Sequence, residues 1–147
     1  MRLPGRRLIG NALRLAPGDR ARAVRALLWL AAADAAVRFL PYSRLTRTAA
    51  RIPASRSPRA AMTPIECREA LRRAARLWPF ARCLPQAFAA YGLLRRAGLT
   101  PILTLGAGFD PAHRFAAHAW LDCQGVTVTG GEADGHYSPL IPAGRER

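Results

Sequence analysis

The sequence contains no lysine, its 23 basic residues all being arginine, a bias of the kind GC-rich coding produces and from which no chemistry follows. Acids are scarce as well, nine in 147 residues. Cysteine is limited to Cys67, Cys83 and Cys123, an odd number with no two in C-x-x-C spacing, which excludes a disulfide framework and a zinc ribbon and fits a reducing cytoplasm. Three histidines stand at spacings unrelated to those cysteines, so no metal site is expected; no cofactor is expected either. Long apolar runs are missing too. The best candidate, AVRALLWLAAADAAVRFL at 23–40, is interrupted by Arg25, Asp34 and Arg38, whereas a membrane span needs about 20 mostly apolar residues. MRLPGRR at the start is followed by no apolar stretch of signal-peptide type. No internal repeat and no low-complexity tract is present.

What remains is a chain that is 50% apolar and of a length suited to one domain. Its net charge of +14 is unevenly placed. Residues 1–82 carry 18 arginines against four acids, and residues 83–147 carry five against five. A solvated basic face, docking to an acidic protein or peptide, and binding of nucleic acid or anionic lipid are each compatible with that split. Nucleic acid ranks last, because Trp29, Phe39 and Tyr42 lie within or just after one helical stripe and no groove-reading motif accompanies them.

Periodicity divides the chain. Gly18-Asp19 opens a helix in which Val24, Leu27, Leu28, Ala31 and Ala35 recur at helical spacing, and Pro41 closes it. PASRSPRAA at 53–61 reads as a linker. The expected organisation is therefore a basic helical arm and linker over 1–62 and a core over 63–147. Thr63-Pro64-Ile65-Glu66 is a capping box with proline at the first helical position, opening a helix to about residue 78 with Cys67, Leu71, Ala74 and Trp78 on one face. That pattern makes Cys67 a small core residue. A second helix runs from about Cys83, with Leu84, Ala87, Phe88, Tyr91 and Leu94 as its apolar stripe and Gly98 as its stop. The period then changes to two. PILTLG (101–106) and residues 114–122 read as strands, Gln124-Gly125 as a tight turn, and Val126 to Thr129 as a third strand, leaving His113 in a loop and His136 in a tail beyond the sheet. The expected fold class is α+β, a helix packed on a small antiparallel sheet with an N-terminal helical arm.

Cys83 falls at the first turn of its helix, where unpaired N–H groups, the positive end of the helix dipole and the adjacent Arg82 all favour thiolate over thiol. His118, in AHAWLD on a later strand, shares a face with Trp120. A cysteine and a histidine so placed have the makings of an acyl-transfer pair in which the imidazole takes the thiol proton and the helix start supplies oxyanion donors. Each residue also has a structural reading, as a tolerated thiol and a satisfied core histidine.

RCLPQAFAAYGLLRRAGL (82–99) and FAAHAWLDCQGVTVTGG (115–131) closely resemble the transglutaminase-like leader peptidases of lasso peptide biosynthesis, and YSPL (137–140) and the Arg- and Leu-rich helical start do so more loosely. The C…HAW pairing alone is shared with transglutaminases, peptide N-glycanases and arylamine acyltransferases, all papain-like in core topology. The resemblance implies a nucleophile at Cys83, a general base at His118 and an orienting acid about a dozen residues further on. Gly130 and Gly131 stand there instead. Simple hairpin register around 124–125 pairs residue 118 with 131, so no carboxylate faces His118. Asp122 lies about 13 Å along the strand, at roughly 3.3 Å per residue. Glu132 is the nearest acid and the candidate third member, with Asp134 second; a backbone carbonyl or a neighbouring side chain could support the ring less well. The resemblance further implies three partners: a lasso precursor peptide, a separate leader-recognition protein, since residues 1–62 lack the strands of a fused winged-helix domain, and a macrolactam-forming cyclase. Two rival functions stand beside peptidase: transfer of the acyl group to an amine, as in transglutaminases, and a non-catalytic scaffold that binds peptide or cyclase.

Overall fold

A computed structural model describes residues 16–55, 57, 61–109, 112–131 and 136–143. Helix α1 (Pro17–Phe39) starts with proline in its first turn and Asp19 beside the positive helix end, and it stops where Leu40 turns extended ahead of Pro41. Its inward face is not the one its leucine spacing suggests. Ala26, Leu30, Ala33 and Asp34 are buried, while Val24 and Leu28 are 54% and 66% exposed. The helix is apolar on two sides, and periodicity alone does not say which side meets the other helices. A short helix that the sequence reading lacks, α2 (Tyr42–Ala50), follows at once. It buries Leu45 and Ala49 and sets the Tyr42 ring edge-on to Phe88, 6.2 Å between centroids.

Helix α3 (Pro64–Leu77) carries the expected capping box: the Glu66 amide donates to Thr63 Oγ1 at 3.2 Å and the Thr63 amide to Glu66 Oε2 at 2.8 Å. Such a cap contributes about 1 kcal/mol. Glu66 also receives Arg22 of α1 at 2.7 Å, which ties the two helices at their starts. Helix α4 (Cys83–Arg96) is central. It touches α1, α2, α3 and three strands, and its small residues Ala87, Ala89, Ala90 and Gly92 let those neighbours approach closely. The helix ends in paired backbone bonds from Leu99 to Leu94 and from Gly98 to Arg95, at 2.9 and 3.0 Å.

Among the described residues four antiparallel strands follow, β1 (Ile102–Phe109), β2 (Phe115–Cys123), β3 (Val126–Thr129) and β4 (His136–Ala143), in spatial order β3-β2-β1-β4. The fold is thus α+β with a papain-like core, as expected. The tail assigned to His136 is instead the edge strand β4, where His136 pairs with Phe109. Its prolines and serine mask a strand in the sequence, and an edge strand tolerates proline because one side of its backbone needs no ladder partner. Leu103, Ala119, Leu121, Cys123 and Val128 bury one sheet face against the helices. Ala26, Leu30, Ala33, Leu45 and Ala49, all before the 53–61 stretch, belong to the same buried cluster. No helix among the described residues is long and apolar enough to cross a membrane.

Candidate active site

Cys83 is the first residue of α4, half-exposed, and the only one of the three free cysteines that is not buried. The turn that presents it is held from both sides. The Gln86 amide donates to the Arg82 carbonyl at 3.2 Å, and Gln86 Nε2 reaches back to the Ala81 carbonyl at 2.9 Å. The amides of Cys83 and Leu84 precede any acceptor within the helix, and Pro85 has no N–H to offer. Cys67 and Cys123 differ sharply. Burial pushes the Cys67 thiol up to about 12, aided by Cys123, and burial likewise raises Cys123.

His118 sits in the middle of β2, half-buried. Its Nε2 lies 2.8 Å from the Gly130 carbonyl oxygen. A carbonyl only accepts, so the ring proton is assigned to Nε2 and the lone pair to Nδ1. The ring stacks with Trp120 at 6.1 Å and 21°, and tilts against Tyr137 of β4 at 5.0 Å and 32°. Trp120 in turn lies over Gly106, the β1 residue paired with His118: a Cβ there would come within 2.6 Å of the indole. The strand needs glycine at 106 so that this aromatic support can lie flat on the sheet.

The register expected around His118 is overturned. Cys123 pairs with Val126 and Asp122 with Thr127, but Leu121 pairs with Thr129, so Val128 is an extra residue. This β-bulge advances the chain by one position, and Gly130, at φ +79°, then turns its carbonyl to the imidazole. Asp122 is engaged elsewhere, accepting from Thr127 Oγ1 at 2.6 Å. Glu132 and Asp134 lie outside the described residues.

Cys83 and His118 together line two clefts. One, about 460 Å³, adds Arg68, Arg72, Gln86 and the β3 segment through Gly131. The other, about 490 Å³, adds Val37, Leu84, Leu105 and Leu140 with Asp34, Arg38 and Arg82 at its edge. Leu140 reaches it because β4 carries its own irregularity opposite Leu105 and Gly106. Asp34 is a residue whose role the sequence did not reveal. A lone acid inside an apolar run was its only signal. It is 6% exposed and accepts from Trp78 Nε1 at 3.1 Å and from Arg38 at 3.0 Å. The Trp78 hydrogen bond, and then Arg38, hold its carboxyl below the usual range against the opposing effect of burial. His113 lies in the β1–β2 loop at φ 56°, outside both clefts. Among the described residues no group of three or more His, Cys, Asp or Glu is placed to hold a metal ion.

A family model described as the transglutaminase-like superfamily matches residues 27–141, from within α1 to the last strand. No curated protein and no solved structure matches the chain.

Proposed function

The chain belongs to the transglutaminase-like superfamily, a family of cysteine proteases and acyltransferases, and from that premise we propose that it is a cysteine peptidase that removes the leader from a lasso peptide precursor. The observation that carries the reading is the shared cleft: a half-exposed thiol at a helix start and an imidazole whose Nε2 is held by Gly130 both line it.

In the proposed reaction His118 Nδ1 takes the Cys83 proton and the sulfur attacks the scissile carbonyl carbon. The oxyanion accepts from the Cys83 amide at the start of α4. Collapse breaks the C–N bond, His118 returns the proton to the departing amine, and a thioester remains. Water then adds to the thioester with His118 as base, releasing the leader carboxylate and the free thiol. During both half-reactions the Gly130 carbonyl fixes the imidazole tautomer and faces the imidazolium, the part an acid plays in Ser-His-Asp sites. Glu132 is the candidate for any further carboxylate support.

Specificity for a lasso precursor, a separate leader-recognition protein that delivers it and a cyclase that closes the ring all rest on the sequence resemblance over 82–99 and 115–131. The test is precursor cleavage with the leader-binding partner present, parent against Cys83→Ala. Cleavage by the parent alone is expected; equal cleavage by both rejects the reading. Mass analysis of the products separates hydrolysis from transfer to an amine.

A further inference from the structure

Helix α1 is apolar on two sides, and only one of them is packed. Ala26, Leu30, Ala33 and Asp34 turn inward, where the helix meets α3 and α4. On the opposite side Ala21, Val24, Leu28, Ala32, Ala35 and Phe39 are all exposed, Phe39 by 83%. At about 100° per residue these six fall within about 80° of one another around the helix axis, and from Ala21 to Phe39 they make a stripe about 27 Å long at roughly 1.5 Å per residue. No charged residue of α1 falls inside that arc. Arg25 borders it on one side, Arg20 and Arg38 on the other.

None of the six lines either cleft at the catalytic pair. The stripe is the crest of a helix, a convex ridge, whereas the side chains that anchor two proteins to each other sit in pockets. A fluid surface closes around a ridge; a rigid partner needs a groove of matching shape. Charge narrows the choice further. The net charge of +14 remains however the ion pairs are drawn, and the whole excess lies in residues 1–82, the part of the chain that includes α1. Two copies carrying that charge repel each other, which disfavours a second chain as the occupant. An apolar stripe bordered by arginine on both sides suits the headgroup region of an anionic bilayer, where the apolar side chains insert and the long cationic ones reach the phosphates.

We propose that α1 docks the protein on an anionic lipid surface, with Val24, Leu28 and Phe39 inserted. Its other face stays packed on α3 and α4, so the helix lies along the surface. The inference is independent of the peptidase reading.

The experiment sediments the full chain with vesicles of equal parts phosphatidylglycerol and phosphatidylcholine, and with vesicles of phosphatidylcholine alone, in about 0.1 M salt, where charges act over about 10 Å. The parent is expected on the mixed vesicles and far less on the neutral ones. Val24→Gln/Leu28→Gln/Phe39→Gln keeps the net charge, so any adhesion by charge alone survives in it; we expect it to bind the mixed vesicles about tenfold more weakly or worse. Ala32→Leu/Ala35→Leu, which enlarges the stripe, is expected to bind roughly threefold more tightly or better with an unchanged melting curve, a gain that loss of folding does not explain. Equal binding by the parent and the glutamine variant overturns the proposal in favour of charge alone, and equal binding to both kinds of vesicle overturns the anionic requirement. No binding to vesicles, with stripe-dependent binding to poly-L-glutamate, overturns it in favour of an acidic protein.

Discussion

The imidazole Nε2 of His118 is 2.8 Å from the carbonyl oxygen of Gly130, a residue at φ +79° just beyond a β-bulge. A main-chain carbonyl is thereby the hydrogen-bond partner of the ring among the described residues. The bond leaves Nδ1 as the ring's proton acceptor, so it bears directly on whether His118 serves as a base.

Gly130→Ala tests that bond. The added methyl would stand 2.5 Å from the Ala119 carbonyl oxygen and the residue would keep a left-handed φ, so the carbonyl must move. We expect kcat/KM to fall by about tenfold to a hundredfold, of the order of the loss when a supporting partner of a catalytic group is removed, with a stability cost of about 1–2 kcal/mol. Glu132→Gln is expected to cost less. A larger loss from Glu132→Gln than from Gly130→Ala, measured under the same conditions, would assign the orienting role to the carboxylate.

Gly106→Ala acts on the ring from the other strand. A Cβ at 106 would meet the Trp120 indole at 2.6 Å and the Ser138 carbonyl at 3.1 Å, so the aromatic surface beside His118 has to shift. Overpacking of this kind costs roughly 1–3 kcal/mol. Activity should fall more than stability explains, seen as a loss in kcat at a temperature where circular dichroism shows the variant fully folded.

Much of this site was legible in the sequence, and the reasons are local. A capping box specifies a helix start through side chains three residues apart, so α3 was readable at Thr63. The start of α4 at Cys83 and the strand phase that sets His118 beside Trp120 were equally local. What was not legible depends on contacts between distant segments. The inward face of α1 is chosen by α3 and α4, not by its own period, and Asp34 became intelligible only when Trp78, 44 residues away, was found donating to it. A bulge at Val128 leaves no mark in VTVTGG. The strand β4 is held by β1 in spite of its prolines.

Thiol reactivity should separate the three cysteines. Cys83 is half-exposed at a helix start, whereas Cys67 is completely buried with its pKa raised to about 12, and Cys123 is 2% exposed. Because the thiolate is the reactive form, a thiol-reactive electrophile at pH 7 should modify Cys83 roughly a hundredfold faster than either of the others, with all three reacting in denaturant. Mass spectrometry of the digested adduct reads it out. Equal rates in the native protein would remove the nucleophile assigned here.

Alkaline and acid limits of stability follow from buried groups of opposite kind. Cys67 stays protonated in the fold up to about 12, while an unfolded thiol ionises near 9.0. Its stabilising effect is complete below that lower value and is lost as pH rises between the two. Asp34 and Glu66 behave oppositely. Trp78 and Arg38 hold the first carboxyl below its ordinary range, and the Thr63 amide, then the Thr63 hydroxyl and Arg22, hold the second. Unfolding at acid pH therefore takes up protons, and the contribution of both, present above the unfolded value of about 4, is lost as pH falls through their folded values. Replacing Asp34 by Ala removes the acceptor shared by Trp78 Nε1 and Arg38 and should cost about 1–3 kcal/mol at pH 7. In thermal melts across pH 2–7 the difference between Asp34→Ala and the parent should shrink towards pH 2. A difference that stays constant over that range would mean that Asp34 supports the fold by packing alone, without its charge.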